Sequence, residues 1–171
     1  MIIDFRVRPP VKSFLSLSIY TQIDWVESLV AKPLVGGLPP SAKERSLPKL
    51  LAELQECEVT HGVVWGRTVP DPRESTTNED IAAIVAEHKG LFSGLGGVCV
   101  GQDIGAAVTA VETAITKLGL KGITVEPGFH QPPLYADNPK FYPVYQRCQE
   151  LGAIVAFTMS ALLGPDISYS N

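Results

Sequence analysis

Charged side chains stand at the ends of otherwise apolar segments in this sequence, and those are the places where chemistry can be done. The opening segment, Ile2-Ile3-Asp4-Phe5-Arg6-Val7-Arg8, reads as a strand. Side chains alternate along a strand, so Asp4, Arg6 and Arg8 are expected to share one face. Charges on a covered strand are costly unless they are paired or used. They form either an ion-pair network with Glu126 or another carboxylate, or a binding surface. Further on, the apolar run Gly122-Ile123-Thr124-Val125 leads into Glu126, with His130 four residues later. A carboxylate at the tip of a buried strand can ligate a metal, act as a general base or pair with arginine. Glu126 is therefore a candidate for both acid–base chemistry and metal binding. His130 is a second acid–base candidate, with a plain surface histidine as the alternative. Thr158 and Ser160 alternate onto one face at the end of a fifth apolar run, and Arg67 adds a cation just past the second.

These residues need a frame that brings strand tips together, and the rest of the chain supplies one. Leu47, Leu50, Leu51, Leu54 and Cys57 follow helical spacing, as do Ile81, Ile84, Val85 and His88 behind Asn78 as N-cap. Val108, Val111, Ile115 and Leu118 make a third stripe, and Phe141, Val144, Tyr145, Cys148 and Leu151 a fourth behind Asn138-Pro139. Between them lie short apolar runs, at Ile2 to Val7, Val59 to Val64, Leu91 to Val98, Leu120 to Val125 and Ile154 to Met159. Strands this apolar are covered on both faces, so the sheet is expected to be parallel. Glycines at 90, 119 and 152 close the helices before each return strand. The strand-to-helix loops are longer and richer in Pro, Arg, Asp and Asn, which marks the carboxyl end of the sheet as the functional one. Residues 9–42 form the longest connection, with a helix presenting Trp25, Val26, Leu29 and Val30. It is expected to be a lid or rim over the site, or else a subunit contact.

Composition removes several function classes. The chain of 171 residues has a hydrophobic fraction of 45% and a net charge of -4, which suits a globular domain and offers no footprint for nucleic acid. No stretch approaches the ~18 apolar residues of a membrane span. Cys57, Cys99 and Cys148 are odd in number and widely spaced, which fits a reducing, cytoplasmic setting, with two of them on helix stripes as buried thiols. There is no P-loop, no nucleophile elbow and no CxxC pair, and Gly94-Leu95-Gly96-Gly97 lacks dinucleotide-binding spacing. Two architectures fit the alternation. At 171 residues, length favours an open sheet of five strands, because a closed (β/α)8 barrel takes about 250 residues.

Three motifs reverse that preference. The start Ile-Ile-Asp-Phe-Arg-Val-Arg-Pro-Pro resembles the opening of the amidohydrolase superfamily, in the branch of metal-dependent hydrolases and aromatic-acid decarboxylases, where a strand ends Asp-x-His-x-His. Gly119 to Pro127 resembles that branch's fourth-strand motif, and Asp137 to Gly152 the helix that follows. The resemblance implies a single TIM-type (β/α)8 barrel domain, of which residues 1–171 supply about the first five βα units of a longer protein. It also implies one divalent metal, zinc above others. Here the two first-strand histidines correspond to Arg6 and Arg8, and the fifth-strand histidine approximately to Thr158. Arginine has no lone pair to give a metal. Of the usual ligand positions only Glu126 retains that capacity.

A planar guanidinium suits carboxylate binding. Arg6, Arg8, Arg67, Thr158 and Ser160 are therefore expected to hold a small anionic substrate, with Glu126 or His130 in acid–base work and Asp4 in the surrounding network. The leading expectation is a hydrolase of a small amide, ester or lactone, with a homo-oligomer as an added feature. Non-oxidative decarboxylation of an aromatic acid on the same fold is the second reading, and a non-catalytic barrel binding an acidic metabolite is the third.

Overall fold

A computed structural model describes residues 1–101, 103–130 and 132–158, apart from the side chains of Leu29 and Val30. Its sheet has five strands, β1 (Ile2–Val7), β2 (Val59–Trp65), β3 (Phe92–Gly97), β4 (Gly122–Val125) and β5 (Ile154–Phe157). They lie side by side in sequence order and every neighbouring pair is parallel. An open doubly wound sheet would reverse its strand order at a switch point. This sheet never reverses, so the five strands make half a barrel and the open-sheet alternative is set aside.

Four main helices make the returns, α1 (Leu47–Glu56), α2 (Asn78–Glu87), α3 (Ile104–Glu112) and α4 (Tyr142–Glu150). Each has an identifiable start. Ser46 caps α1 through the Lys49 N–H, and Asp103 caps α3 through the Ala106 N–H. The cap of α2 is Thr77, which accepts from the Asp80 N–H, and not Asn78 as its residue type suggested. Asn78 is used elsewhere. Its Oδ1 accepts from Gly97 N at 2.8 Å and its Nδ2 donates to Gly97 O at 3.3 Å, fixing α2 to the carboxyl end of β3. Asn138 does cap, but it starts a 3₁₀ turn (Pro139–Phe141) that leads into α4. Gly90, Gly119 and Gly152 all have positive φ, as helix-ending glycines require.

Two apolar clusters fill the space between sheet and helices. One gathers Val7, Val64, Ile81, Ile84, Phe92 and Leu120, the other Ile123, Val125, Val111, Phe141, Val144 and Cys148. A separate small cluster, Val63, Trp65, Leu95 and Ala156, occupies the opposite, inner face of the sheet. Cys148 is buried as its stripe implied, whereas Cys57 is exposed because α1 ends one residue before it. Among the described residues, no helix is long and apolar enough to cross a membrane.

β1 departs from simple alternation. Asp4 pairs with Gly62 and Val7 with Val64, so three steps of β1 match two of β2. That is a one-residue bulge, which re-aims the side chains beyond it. Asp4, Arg6 and Arg8 therefore do not share one face as expected. The Asp4 carboxylate folds back to accept the Arg6 N–H at 2.9 Å. Val7 joins the helix-side core, and Arg8 turns inward.

Residues 9–42 form a string of helical segments: a 3₁₀ turn (Lys12–Ser16), a short helix (Ser18–Thr21), and then Ile23–Val26, Glu27–Ala31 and Lys32–Val35, which run on without a break as the helix expected around Trp25, with a π segment in its middle. Trp25 is 36% exposed, and the buried anchors are Phe14, Leu17 and Tyr20. Asp80 and Glu74 tether the string by accepting the backbone N–H groups of Ser13 and Ser18 at 3.0 and 2.9 Å.

The chain approaches a neighbouring strand closely at Gly66, where a Cβ would meet Gly97 N at 2.5 Å and Leu95 O at 2.9 Å. Backbone atoms cannot yield as side chains can, so Gly66→Ala is expected to destabilise the fold by about 1–3 kcal/mol. A shift of the urea midpoint checks this, and an unchanged midpoint would contradict the packing described.

Candidate functional site

Inward-facing side chains meet at the carboxyl tips of four strands. Two residues beyond the inner-face Trp65 comes Arg67, two beyond Ala156 comes Thr158, and one beyond the core-facing Val7 comes Arg8. On β4, Thr124 donates to Gly66 O at 2.6 Å, and two residues on is Glu126. Thr158 N–H donates to Val125 O at 3.1 Å, which seats the β5 tip beside that of β4. Glycine at 97 leaves the β3 tip without a side chain.

The centre of this group is the Glu126 carboxylate, 4% exposed. Arg8 Nη2 lies 3.6 Å from Oε1, and Arg67 Nε lies 3.1 Å from Oε2. Neither contact is aligned as a hydrogen bond, and Glu126 Oε1 and Arg67 Nε have no such partner. Arg67 is 2% exposed and is satisfied mainly on its other side. Its Nη1 donates to Glu74 Oε2 at 2.7 Å, and its guanidinium lies 4.3 Å from the centre of the Phe129 ring. Glu74 in turn accepts from the Ser18 N–H and hydroxyl, so the ion-pair chain runs from β1 through β4 and β2 into the first loop.

Arg8 is held from behind, since the Tyr20 hydroxyl donates to its carbonyl oxygen. Burial, aided by the like charge of Arg6, lowers the Arg8 guanidinium to a pKa of about 10, with Glu126 pulling the other way. Arg8 therefore remains cationic at neutral pH. Burial also pushes the Tyr20 phenol up to about 12. Arg6 is exposed and rests over the Trp65 ring, 5.4 Å from its centre.

The structure thus brings together Arg8, Arg67, Glu126 and Thr158, with Arg6 and Trp65 just below. It does not bring His130 to them. That side chain is buried and packs edge-on against Phe141, in the helix-side core, with ring centres 5.8 Å apart. Ser160 lies outside the described residues. Asp4 forms no ion pair among the described residues and stays outside the group. Sequence reasoning did not single out Glu74, Phe129, Tyr20 or Trp65. Glu74 had a signal in the charged Asp71-Pro72-Arg73-Glu74 loop; the other three looked like ordinary aromatic core residues. Beside the group opens a cleft of about 630 Å³, lined by Ser16, Ser18, Gln22, Arg67, Glu74 and Phe129 among others.

The sequence profile of a family described as amidohydrolase matches residues 4–168, and the chain belongs to that family. An uncharacterized TIM-barrel protein of Bordetella bronchiseptica is 32% identical with a TM-score of 0.88, covering 98% of this chain and 58% of that one. The 5-carboxyvanillate decarboxylase of Novosphingobium aromaticivorans, solved with bound manganese, is 17% identical with a TM-score of 0.58, covering 91% of this chain and 49% of that one. The 2-amino-3-carboxymuconate-6-semialdehyde decarboxylase of Dictyostelium discoideum is 30% identical over 89 residues, which is 52% of this chain and 24% of that protein. This chain therefore spans about half the length of the solved structures, and a quarter of that last relative is matched.

The manganese of one structural neighbour makes a divalent ion the group to test against these residues. They do not fit it. Among the described residues, no three His, Cys, Asp or Glu side chains gather as a ligand set. Arg6 and Arg8 stand where the resemblance places histidines, and both oxygens of Glu126 are already opposed by guanidiniums. At an effective dielectric of about 20, each unit of positive charge about 4 Å from an arginine costs roughly 4 kcal/mol, and a divalent ion on Glu126 would face two arginines.

His130 gives this region a pH signature. Burial, and secondarily the charge of Lys140, lowers its pKa. Folding therefore favours the neutral ring. The associated stability is fully present above about pH 6.5, the ordinary histidine value, and is lost as pH falls from there through the folded-state value. Urea midpoints are expected to drop between pH 7 and pH 5, and to drop less in His130→Gln. Parallel pH profiles for the two proteins would contradict this assignment.

Proposed function

We propose that this chain carries the substrate-binding mouth of an amidohydrolase-family enzyme that releases carbon dioxide from a small organic carboxylate. The carrying observation is the half-buried Arg8 and the buried Arg67 on either side of the buried Glu126 at the strand tips. With Arg6 and Glu74 the mouth holds three guanidiniums against two carboxylates, and the surplus positive charge suits one more carboxylate. Arg8 and Arg67 hold and orient the anion, with Arg6 adding positive charge beside them. Glu126 Oε1, without a hydrogen-bond partner, is the acid–base atom nearest to it. In the reaction the bond to the carboxyl carbon breaks, and a proton takes its place on the remaining carbon. Residues 9–42 serve as a rim that excludes water, tethered to the ion-pair chain through Glu74.

Two relatives of known activity that match this chain are decarboxylases, which supports this reaction over the hydrolysis that the sequence first favoured. Hydrolysis of a small amide, ester or lactone stays as the second reading, because a strand-tip carboxylate such as Glu126 can also activate water.

A panel of small aromatic and unsaturated carboxylic acids, followed by carbon dioxide release, tests the proposal. Release is expected for one class of acid. Arg8→Met should raise KM tenfold or more, and Glu126→Gln should lower kcat by about 10²–10⁴, the range of a positioned acid–base group. Acid formation from amides, esters or lactones without carbon dioxide would move the assignment to the second reading.

A further inference from the structure

We infer that the mouth of this half-barrel works as an oxyanion receptor in place of a divalent-metal site, with the guanidiniums of Arg8 and Arg67 supplying the positive charge. The inference rests on the carboxylate reading above and specifies how the carboxylate is held.

Three observations carry it. The first is charge. Arg8 and Arg67 approach the two oxygens of Glu126 to 3.6 and 3.1 Å, so the carboxylate that could have gathered a cation is already engaged. The second is an excess of unfilled donors. Arg8 Nε, Arg67 Nε, Trp65 Nε1 and Thr158 Oγ1 are all buried without a hydrogen-bond partner, and Glu126 Oε1 is the accompanying acceptor. Buried polar atoms of folded proteins are almost always satisfied, so several orphans in one place call for a missing partner. All of these orphans belong to residues at the inner-face tips of the sheet. Trp65 is 7% exposed, Arg67 2% and Thr158 6%, so the cluster is built into the fold and is not a surface accident. The third is the sign of the deficit. Three of the orphans, Arg8 Nε, Arg67 Nε and Trp65 Nε1, are donors only, which a metal ion cannot satisfy and an oxyanion can. Arginine pairs with carboxylates through parallel N–H groups, and a tryptophan N–H is a donor only. Thr158 stands approximately where the resemblance has its fifth-strand histidine, so that position also offers a hydroxyl in place of a metal ligand.

The full-length protein can be tested with benzoate, a plain carboxylate, and with manganese. Calorimetric titration with benzoate is expected to give the same affinity before and after EDTA treatment. Manganese, followed by the electron paramagnetic resonance of the free ion, is expected not to bind at the mouth. Trp65→Phe keeps the ring under Arg6 but removes the N–H, and should weaken benzoate several-fold. Arg8→Met should weaken it tenfold or more, with circular dichroism showing that each variant is folded. One equivalent of bound manganese, lost in Glu126→Gln and required for benzoate to bind, would overturn the inference and leave the carboxylate reading standing. Failure of benzoate to bind with or without manganese would overturn the carboxylate reading itself, and the receptor with it.

Discussion

Arg67 is 2% exposed and carries a permanent charge, and much of the described structure answers that one constraint. A charge out of water costs several kcal/mol unless opposite charge and hydrogen bonds surround it. Glu126 provides the first partner, which requires the β4 tip to reach towards the β2 tip across the end of β3. Glu74 provides the second, which requires the loop after β2 to curl back over its own strand. Phe129 covers the guanidinium face, which places the turn after β4. Because Glu74 also accepts from Ser18, the first loop is drawn onto the same group. Three sequence-distant segments thus meet where the barrel architecture puts strand carboxyl ends.

The frame was largely legible in the sequence because it depends on periodicity. Apolar runs gave five strands, helical stripes gave four helices, and glycines at 90, 119 and 152 marked where each return begins. What periodicity could not show was where it breaks. The bulge between Asp4 and Val7 has no residue signature, yet it decides that Arg8 turns inward while Asp4 does not. His130 followed Glu126 closely enough to suggest a shared site, but the 3₁₀ turn at Pro127–Phe129 carries its ring to Phe141 instead. Asn78 looked like a cap, and a better-placed Thr77 freed it to bind Gly97. In each case a local residue preference yielded to a tertiary partner that only the folded chain supplies.

Membership of the amidohydrolase family fixes the frame and leaves the chemistry of the mouth to individual side chains. The Bordetella bronchiseptica protein shares the frame at a TM-score of 0.88, and the manganese-bound decarboxylase shares it at 0.58. Within that frame, replacing histidine by arginine changes the site from one that donates lone pairs to one that donates protons in hydrogen bonds. The ligand expected at such a mouth changes sign accordingly. Glu126 then acts as the anchor that keeps two guanidiniums from repelling one another, a role the frame did not require of it.

That role makes the energetic coupling between Arg67 and Glu126 the most direct test of the account. A double-mutant cycle with Arg67→Met and Glu126→Gln, read from urea unfolding, measures it. If the ion-pair chain organises this end of the sheet, the double variant loses less stability than the two single variants summed, by about 0.5–3 kcal/mol. Additive losses would mean that the two residues do not support one another, and would contradict the account.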